Sequence, residues 1–366
     1  MNYRSAIFSK YLSDAAMVSV ISDEALIKYM LQFEIALAKA QAKLKIIPNS
    51  SATEIRTVLG NIKITPKSLA AGTLQNGIPV ITLLSLVKEK LSADAKKYLH
   101  YGATSQDVMD TAQVLILKDA MQLVEDKIKL LVLLLKKLSA KYGNAVCMAR
   151  TRGQLAMPTT FGNKINNWLQ PLQRQLEKSG ELKKAVFKLQ LGGAAGTLSV
   201  YGNKGRQLSN ALGTILKLQS TNVWHTQRDS SCMCSNWLAI LSGILGKMGA
   251  DILVMNQSEI NEVIENAAGG GKSSAMPHKN NPVLSEALVA LARINATLQS
   301  QMLQSIVHVN ERDATAWILE WNAIPQMLIN TSTALSHAIT IGGNIKVDTA
   351  NMKMNVDQFL KNNTGK

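Results

Sequence analysis

Three stretches of the chain repeat an apolar residue in alternating steps of four and three. The first runs through Leu117, Met121, Val124, Ile128, Leu131, Leu135 and Leu138. The second runs through Leu238, Leu241, Leu245, Met248, Ile252 and Met255 and closes on Glu259. The third holds Leu284, Leu288, Leu291, Asn295, Leu298 and Met302. Such steps average about 3.5 residues and keep one seam turned toward a partner helix. Each stretch outlasts the usual helix of three to four turns. Several seams of this kind specify an all-α protein built as an elongated multi-helix bundle, not a compact α/β domain. Composition agrees: 46% of residues are hydrophobic but only 5% aromatic, so the cores are aliphatic, which suits helix-on-helix packing. The seams are scaffold, and the chemistry has to be sought between them.

At 366 residues the chain exceeds one small core. Residues 1–111 are more broken, punctuated by Pro48, Pro66 and Pro79, and are expected to form a smaller N-terminal helical domain. Residues 112–345 form the central long-helix domain. Residues 346–366 are polar, end in LKNNTGK, and resemble the start of a truncated C-terminal helical domain. No alternating strand pattern stands out in the first 340 residues, and no repeat of 20 to 50 residues is visible.

The three cysteines, Cys147, Cys232 and Cys234, are too few and unevenly placed for a disulfide framework. Cys232 and Cys234 also lack the two-residue spacer of redox and zinc motifs. No His or Cys pair has metal-ligand spacing with carboxylate support, so neither metal nor cofactor is expected. The N-terminus lacks the apolar core of a signal peptide, and no consecutive apolar run approaches the ~18 residues of a membrane span. A cytoplasmic protein without membrane contact is expected. The net charge of +15 invites a nucleic-acid reading. However, the basic residues are dispersed and no nucleic-acid motif accompanies them. Drawing anionic small molecules inward is the better reading.

The stretch GGGKSSAMPHKNNP, Gly269 to Pro282, nearly spells a phosphate-binding loop. The pattern requires a glycine where Asn266 stands, and a helix rather than a strand leads into it. Its second half instead crowds Ser273, Ser274, His278, Lys279 and Asn281 together, a set of proton donors, a cation and an amide. The three glycines would let it move as a lid. A second cluster, LHYGATSQDVMDTA from Leu99, offers His100 and the short donors Thr104, Ser105 and Gln106 just before a helix, a start that can hold a carboxylate or merely cap. Further clusters are ARTRGQLAMPTTFG (149–162), LQLGGAAGT (189–197) and WHTQRD (224–229).

GKSSAMPHKNNP resembles the signature loop of the fumarase, aspartase and adenylosuccinate lyase superfamily, departing from it at Lys272, where the family has glycine. HYGATSQDVMDTA and TRGQLAMPTTFG resemble two further signatures, in the expected order, and the likeness extends from Asn2 to about Asn351. Within the superfamily the branch of bacterial 3-carboxy-cis,cis-muconate cycloisomerases is most similar. The early region LQNGIPVITLL (74–84) lacks the histidine of adenylosuccinate lyase, and Thr151 is followed by Arg152 instead of histidine. An arginine there can pair with a substrate carboxylate.

The resemblance implies an intramolecular lyase that closes a lactone in aromatic acid catabolism. It implies Ser273 as the proton-transfer residue, Ser274 as its fallback and His100 as a catalytic neighbour. Thr104, Ser105, Gln106, Thr151, Arg152, Gln154, Gln227, His278, Lys279 and Asn281 would bind the di- or tricarboxylate. It also implies a homotetramer whose subunits share each site. The alternatives are a lyase that releases fumarate from a succinyl adduct and an inactive scaffold.

Overall fold

A computed structural model describes residues 5–265 and 269–363; Asn2, Asn266 and residues 364–366 of the tail lie outside the described residues. The first helices are α1 (Ser9–Leu12), α2 (Ala15–Val20), α3 (Asp23–Lys43), α4 (Asn49–Asn61), α5 (Pro66–Asn76), α6 (Val80–Lys88) and α7 (Ala93–Tyr98). The long helix α8 (Ser105–Tyr142) leads into strands β1 (Val146–Thr151) and β2 (Gln154–Thr160), then α9 (Phe161–Val186). There follow a 3-10 turn (Ser199–Lys204), α10 (Gly205–Leu216), α11 (Asp229–Met255), β3 (Val263–Ile264) and α12 (Val283–Gln304). The described chain ends with α13 (Ala314–Asn344), β4 (Lys346–Val347) and α14 (Thr349–Asn363).

Five long helices close a ring. α8 packs on α9, α9 on α11, α11 on α12, α12 on α13, and α13 returns to α8. All positions of the first seam, and all apolar positions of the second, are buried. Of the third seam, Leu288, Leu291, Asn295 and Met302 are buried, while Leu284 and Leu298 pack partly exposed against the core. The buried amide of Asn295 is satisfied by Ser242 Oγ at 2.7 Å and Thr331 Oγ1 at 3.0 Å. The helical reading therefore holds, with one correction to its length. α11 stops at Met255, and Glu259 lies exposed in the turn beyond it. The polar run Asn256-Gln257-Ser258 gives a further helical turn nothing to bury.

Two hydrophobic cores meet on α8. Its first half, Val108 to Ile116, belongs to a core shared with α3 to α7 and with residues 189–224. From Leu117 onward it belongs to the core of the ring. Residue 111 thus falls inside one unbroken helix, and the segment around α10 packs with the N-terminal helices.

Two strands, β1 and β2, form in a stretch where the sequence shows no alternating pattern. They pair antiparallel across a two-residue turn, Arg152-Gly153, in which both residues have positive φ (50° and 82°). That is the conformation a tight hairpin favours. Neither strand alternates apolar and polar residues, because β2 is exposed almost throughout, so periodicity carried no signal. α14 packs across β1.

Among the described residues α11 is the one helix long and apolar enough to cross a membrane, with a mean hydropathy of 1.7 over its most apolar window. It occupies the ring between α9, α12 and α13. Cys147, Cys232 and Cys234 are free and buried, and burial pushes their thiols up to about 11, 11 and 12.

Candidate active site

Three of the sequence clusters converge at the start of α8. Asp107, fully buried in the first turn, is their hub. Its Oδ1 accepts the Gly192 N–H at 2.8 Å and lies 2.9 Å from His225 Nε2. Its Oδ2 accepts the N–H groups of Gly193 at 2.9 Å and Thr104 at 3.0 Å. One carboxylate thereby joins the helix start to LQLGGAAGT and WHTQRD. The glycines are sterically required here: a Cβ on Gly192 would lie 2.6 Å from the His225 ring.

One turn further on, Asp110 and Glu320 clamp the buried Arg228. The guanidinium meets Asp110 at 2.8 and 3.1 Å and Glu320 at 2.6 and 2.5 Å. Trp317 Nε1, Gln106 Nε2 and Gln190 Nε2 also donate to Asp110. Burial, reinforced by Asp110, pushes the Glu320 carboxyl above the usual carboxylate range despite Arg228. The arginine itself is held above its ordinary value by the two carboxylates, which outweigh burial. This network fixes α8, α13 and the WHTQRD segment relative to one another.

Around this floor stand groups able to meet an anion. Thr104 and Ser105 lie partly exposed at the head of α8, where a capping box joins Thr104 and Asp107 and the helix dipole favours negative charge. His100 lies just before them, with Nδ1 2.6 Å from the buried Glu34 Oε1. Arg312, which sequence reasoning missed, reaches in from the segment before α13, donating to Gln106 Oε1 at 3.0 Å and to the Ala194 carbonyl at 2.9 Å. Gln106 is itself buried, its amide also donating to the His225 carbonyl at 2.8 Å, so it braces the site. Gln227 is exposed next to Arg228 and bonds back to the Val223 carbonyl.

The remaining candidates stand on two other elements. Thr151, Arg152 and Gln154 form the exposed tip of the β1–β2 hairpin. An ion pair at 3.7 Å from Arg150 to Glu262 ties that hairpin to the residues leading into the serine loop. In the loop, Ser273 and Asn281 are partly exposed, and Ser274, His278 and Lys279 are exposed. The loop closes on itself at its neck. Asn281 N–H donates to the Gly271 carbonyl at 2.8 Å, and Lys272 pairs with Asn280. Lys272, the departure from the signature, thus takes part through its backbone. Gly269, Gly270 and Gly271 all have positive φ. The Ser273 hydroxyl accepts the Met276 N–H at 3.2 Å. At the loop's far end Glu265 accepts the Leu284 and Ser285 N–H groups, fixing the start of α12. Ser273, Ser274, His278 and Lys279 lie outside the hydrogen-bond network of the α8 cluster.

A cavity of about 1940 Å³ lies elsewhere, between α1–α3, α5, α8, α12 and α13. It contains none of the candidate residues. The α8 cluster, where three of the sequence clusters converge on Asp107, is the candidate site.

Comparison with known proteins gives the family. The profile of a family described as "Lyase" matches residues 5–294. The 3-carboxy-cis,cis-muconate cycloisomerase of Acinetobacter baylyi is 35% identical over 360 residues, covering 96% of this chain and 80% of that protein. The N-acetyl-S-(2-succino)cysteine lyase of Dickeya dadantii is 32% identical over 344 residues, covering 93% and 75%. The crystal structure of the 3-carboxy-cis,cis-muconate lactonizing enzyme from Pseudomonas putida matches with a TM-score of 0.92 at 34% identity, covering 97% of this chain and 80% of that one. On this profile, this fold and these motifs, the chain belongs to the lyase family of the fumarase/aspartase superfamily.

Proposed function

We propose that the chain is a lactonising cycloisomerase acting on 3-carboxy-cis,cis-muconate in cytoplasmic aromatic acid catabolism. The observation that carries this reading is the 35% identity to such an enzyme along 96% of the chain. In the reaction a substrate carboxylate oxygen adds to one end of a double bond. The electron pair moves onto the neighbouring carboxylate-bearing carbon as an enolate-like anion, and that carbon then takes a proton. Stabilising the anion is the main electrostatic task, and each preorganised donor contributes about 3 kcal/mol.

In this reading Ser273 or Ser274 delivers the proton. Lys279 and Asn281 hold the anion from the loop, and Thr104, Ser105 and His100 hold it from the head of α8. Thr151, Arg152, Gln154, Gln227 and His278 bind the outer carboxylates, with Gln106 bracing the floor. The loop and the α8 cluster meet across subunits of a homotetramer. Exposed apolar side chains such as Leu303, Val307, Val309 and Ile318 support such an assembly.

The test is incubation with 3-carboxy-cis,cis-muconate, following loss of its ultraviolet absorbance. We expect turnover by the tetramer, and its absence in an intact tetramer overturns the reading. The relative that acts on a succinyl thioether favours a second one, fumarate release from a succinyl adduct. Fumarate formed from such an adduct, without lactonisation of the muconate, would select it.

A further inference from the structure

We propose that Glu34 is a positioning residue: its buried carboxylate grips the Nδ1 edge of His100 and leaves the Nε2 edge for the substrate anion at the head of α8. The proposal rests on the anion-binding role given to that cluster above. Glu34 sits on α3 among Met30, Phe33, Ala36 and Leu37, and only 1% of it is exposed. A carboxylate in such a place is costly unless paired, and a well-packed apolar residue would serve stability as well or better. Its Oε1 lies 2.6 Å from His100 Nδ1, while Oε2 is buried with no hydrogen-bond partner among the described residues. Packing alone does not explain an acid with one oxygen left bare.

His100 is held just as unusually. Its φ is 60°, in the left-handed region that non-glycine residues rarely occupy. Gly102 follows with φ 72°, at a place where a Cβ would lie 2.6 Å from the Tyr201 ring. The turn between α7 and α8 is thus bent to bring this ring down onto Glu34. The charged groups facing the ring are Glu34 from α3, Asp107 from α8 and Lys88 from α6. The Tyr201 hydroxyl is a near neighbour of the same two carboxylates. Burial opposes a charge on the ring, but the Glu34 carboxylate outweighs it and raises the imidazole above its ordinary value. In its protonated form the ring presents an N–H, not a lone pair, to an approaching carboxylate. Glu34 thereby favours the form of His100 that binds an anion, and proton transfer is left to the loop serine.

Ring NMR of the full chain tests this without substrate, with His100→Gln assigning the resonance. In the wild type His100 should titrate above 6.5, and in Glu34→Gln below it. With 3-carboxy-cis,cis-muconate, Glu34→Gln should raise KM about tenfold per unit of lost pKa at pH 8, with a smaller change in kcat. That defect should shrink as pH falls toward 6, because the ring regains its proton, and Glu34→Asp should recover part of it. Wild-type titration of His100 at or below 6.5 overturns the proposal even if the variant fails to fold. A Glu34→Gln variant with unchanged titration, or with lowered kcat and unchanged KM, overturns it as well. Absence of turnover on the muconate counts against the substrate assignment alone, since the titration does not depend on it.

Discussion

Asp107 Oδ1 lies 2.9 Å from His225 Nε2, and through this contact two segments 118 positions apart share one buried floor. The same carboxylate accepts three backbone N–H groups, from Thr104, Gly192 and Gly193. Asp107→Asn keeps the shape but turns an amide NH2 against at least one of those donors. We expect a loss of about 2–4 kcal/mol in chemical denaturation, because buried donors are left unsatisfied. Turnover should fall further than stability does, since the head of α8 and the glycine loop separate. A variant with unchanged denaturation midpoint would show that the hub does not hold these segments together.

Arg228 is the only cation in the clamp with Asp110 and Glu320, so its removal leaves two buried carboxylates facing each other. Arg228→Met should cost about 3–5 kcal/mol near neutral pH. The sign of the pH dependence follows from Glu320. Its folded pKa is raised, so the fold holds this proton more tightly than the unfolded chain does. Stability is therefore lost as pH rises through that window, and without Arg228 the window widens upward. The deficit of Arg228→Met relative to wild type should be smaller at pH 5 than at pH 8. Equal deficits at both values would mean that the carboxylates do not depend on the arginine for their charge.

Much of this was legible in the sequence, and the limits have physical causes. The seams of α8, α11 and α12 were readable because burial there repeats at the helical period. α9 and α13 were less conspicuous, since each carries a proline inside, at Pro171 and Pro325. The β1–β2 hairpin had only the dipeptide Arg152-Gly153 as its local sign. The short donors at the head of α8 announced themselves by type and spacing. Their supports did not: Glu34 meets His100 across 66 positions, and Arg312 meets Gln106 across 206. Nothing local marks such a partner, because it is chosen by the fold and not by its neighbours in the chain.

The neck of the serine loop depends on Gly271. Its φ is 62°, and a Cβ there would lie 2.1 Å from the Asn281 carbonyl oxygen. Gly271→Ala must therefore break the bond between the Gly271 carbonyl and Asn281 N–H or shift one strand of the neck. Left-handed strain alone costs about 1–2 kcal/mol. Because the loop is largely exposed, thermal unfolding should move little, while kcat falls about tenfold or more. A large drop in melting temperature instead would place the loop in the folding core.

Ser273 and Lys279 are separable by kinetics because the proposed reaction gives them different work. A proton-transfer group acts only as the proton moves, so Ser273→Ala should lower kcat by about 10²–10⁴-fold with KM changed little. Lys279 meets a carboxylate that is already charged in the bound substrate and becomes more so in the transition state. Lys279→Met should therefore raise KM and lower kcat together. Both side chains are partly or fully exposed, so neither change should alter the melting temperature. If Ser273→Ala retains wild-type kcat while Ser274→Ala loses it, the proton passes to the second serine. If both serine variants keep full turnover, the loop binds substrate without moving the proton, and the source of that proton has to be sought in the α8 cluster, at His100.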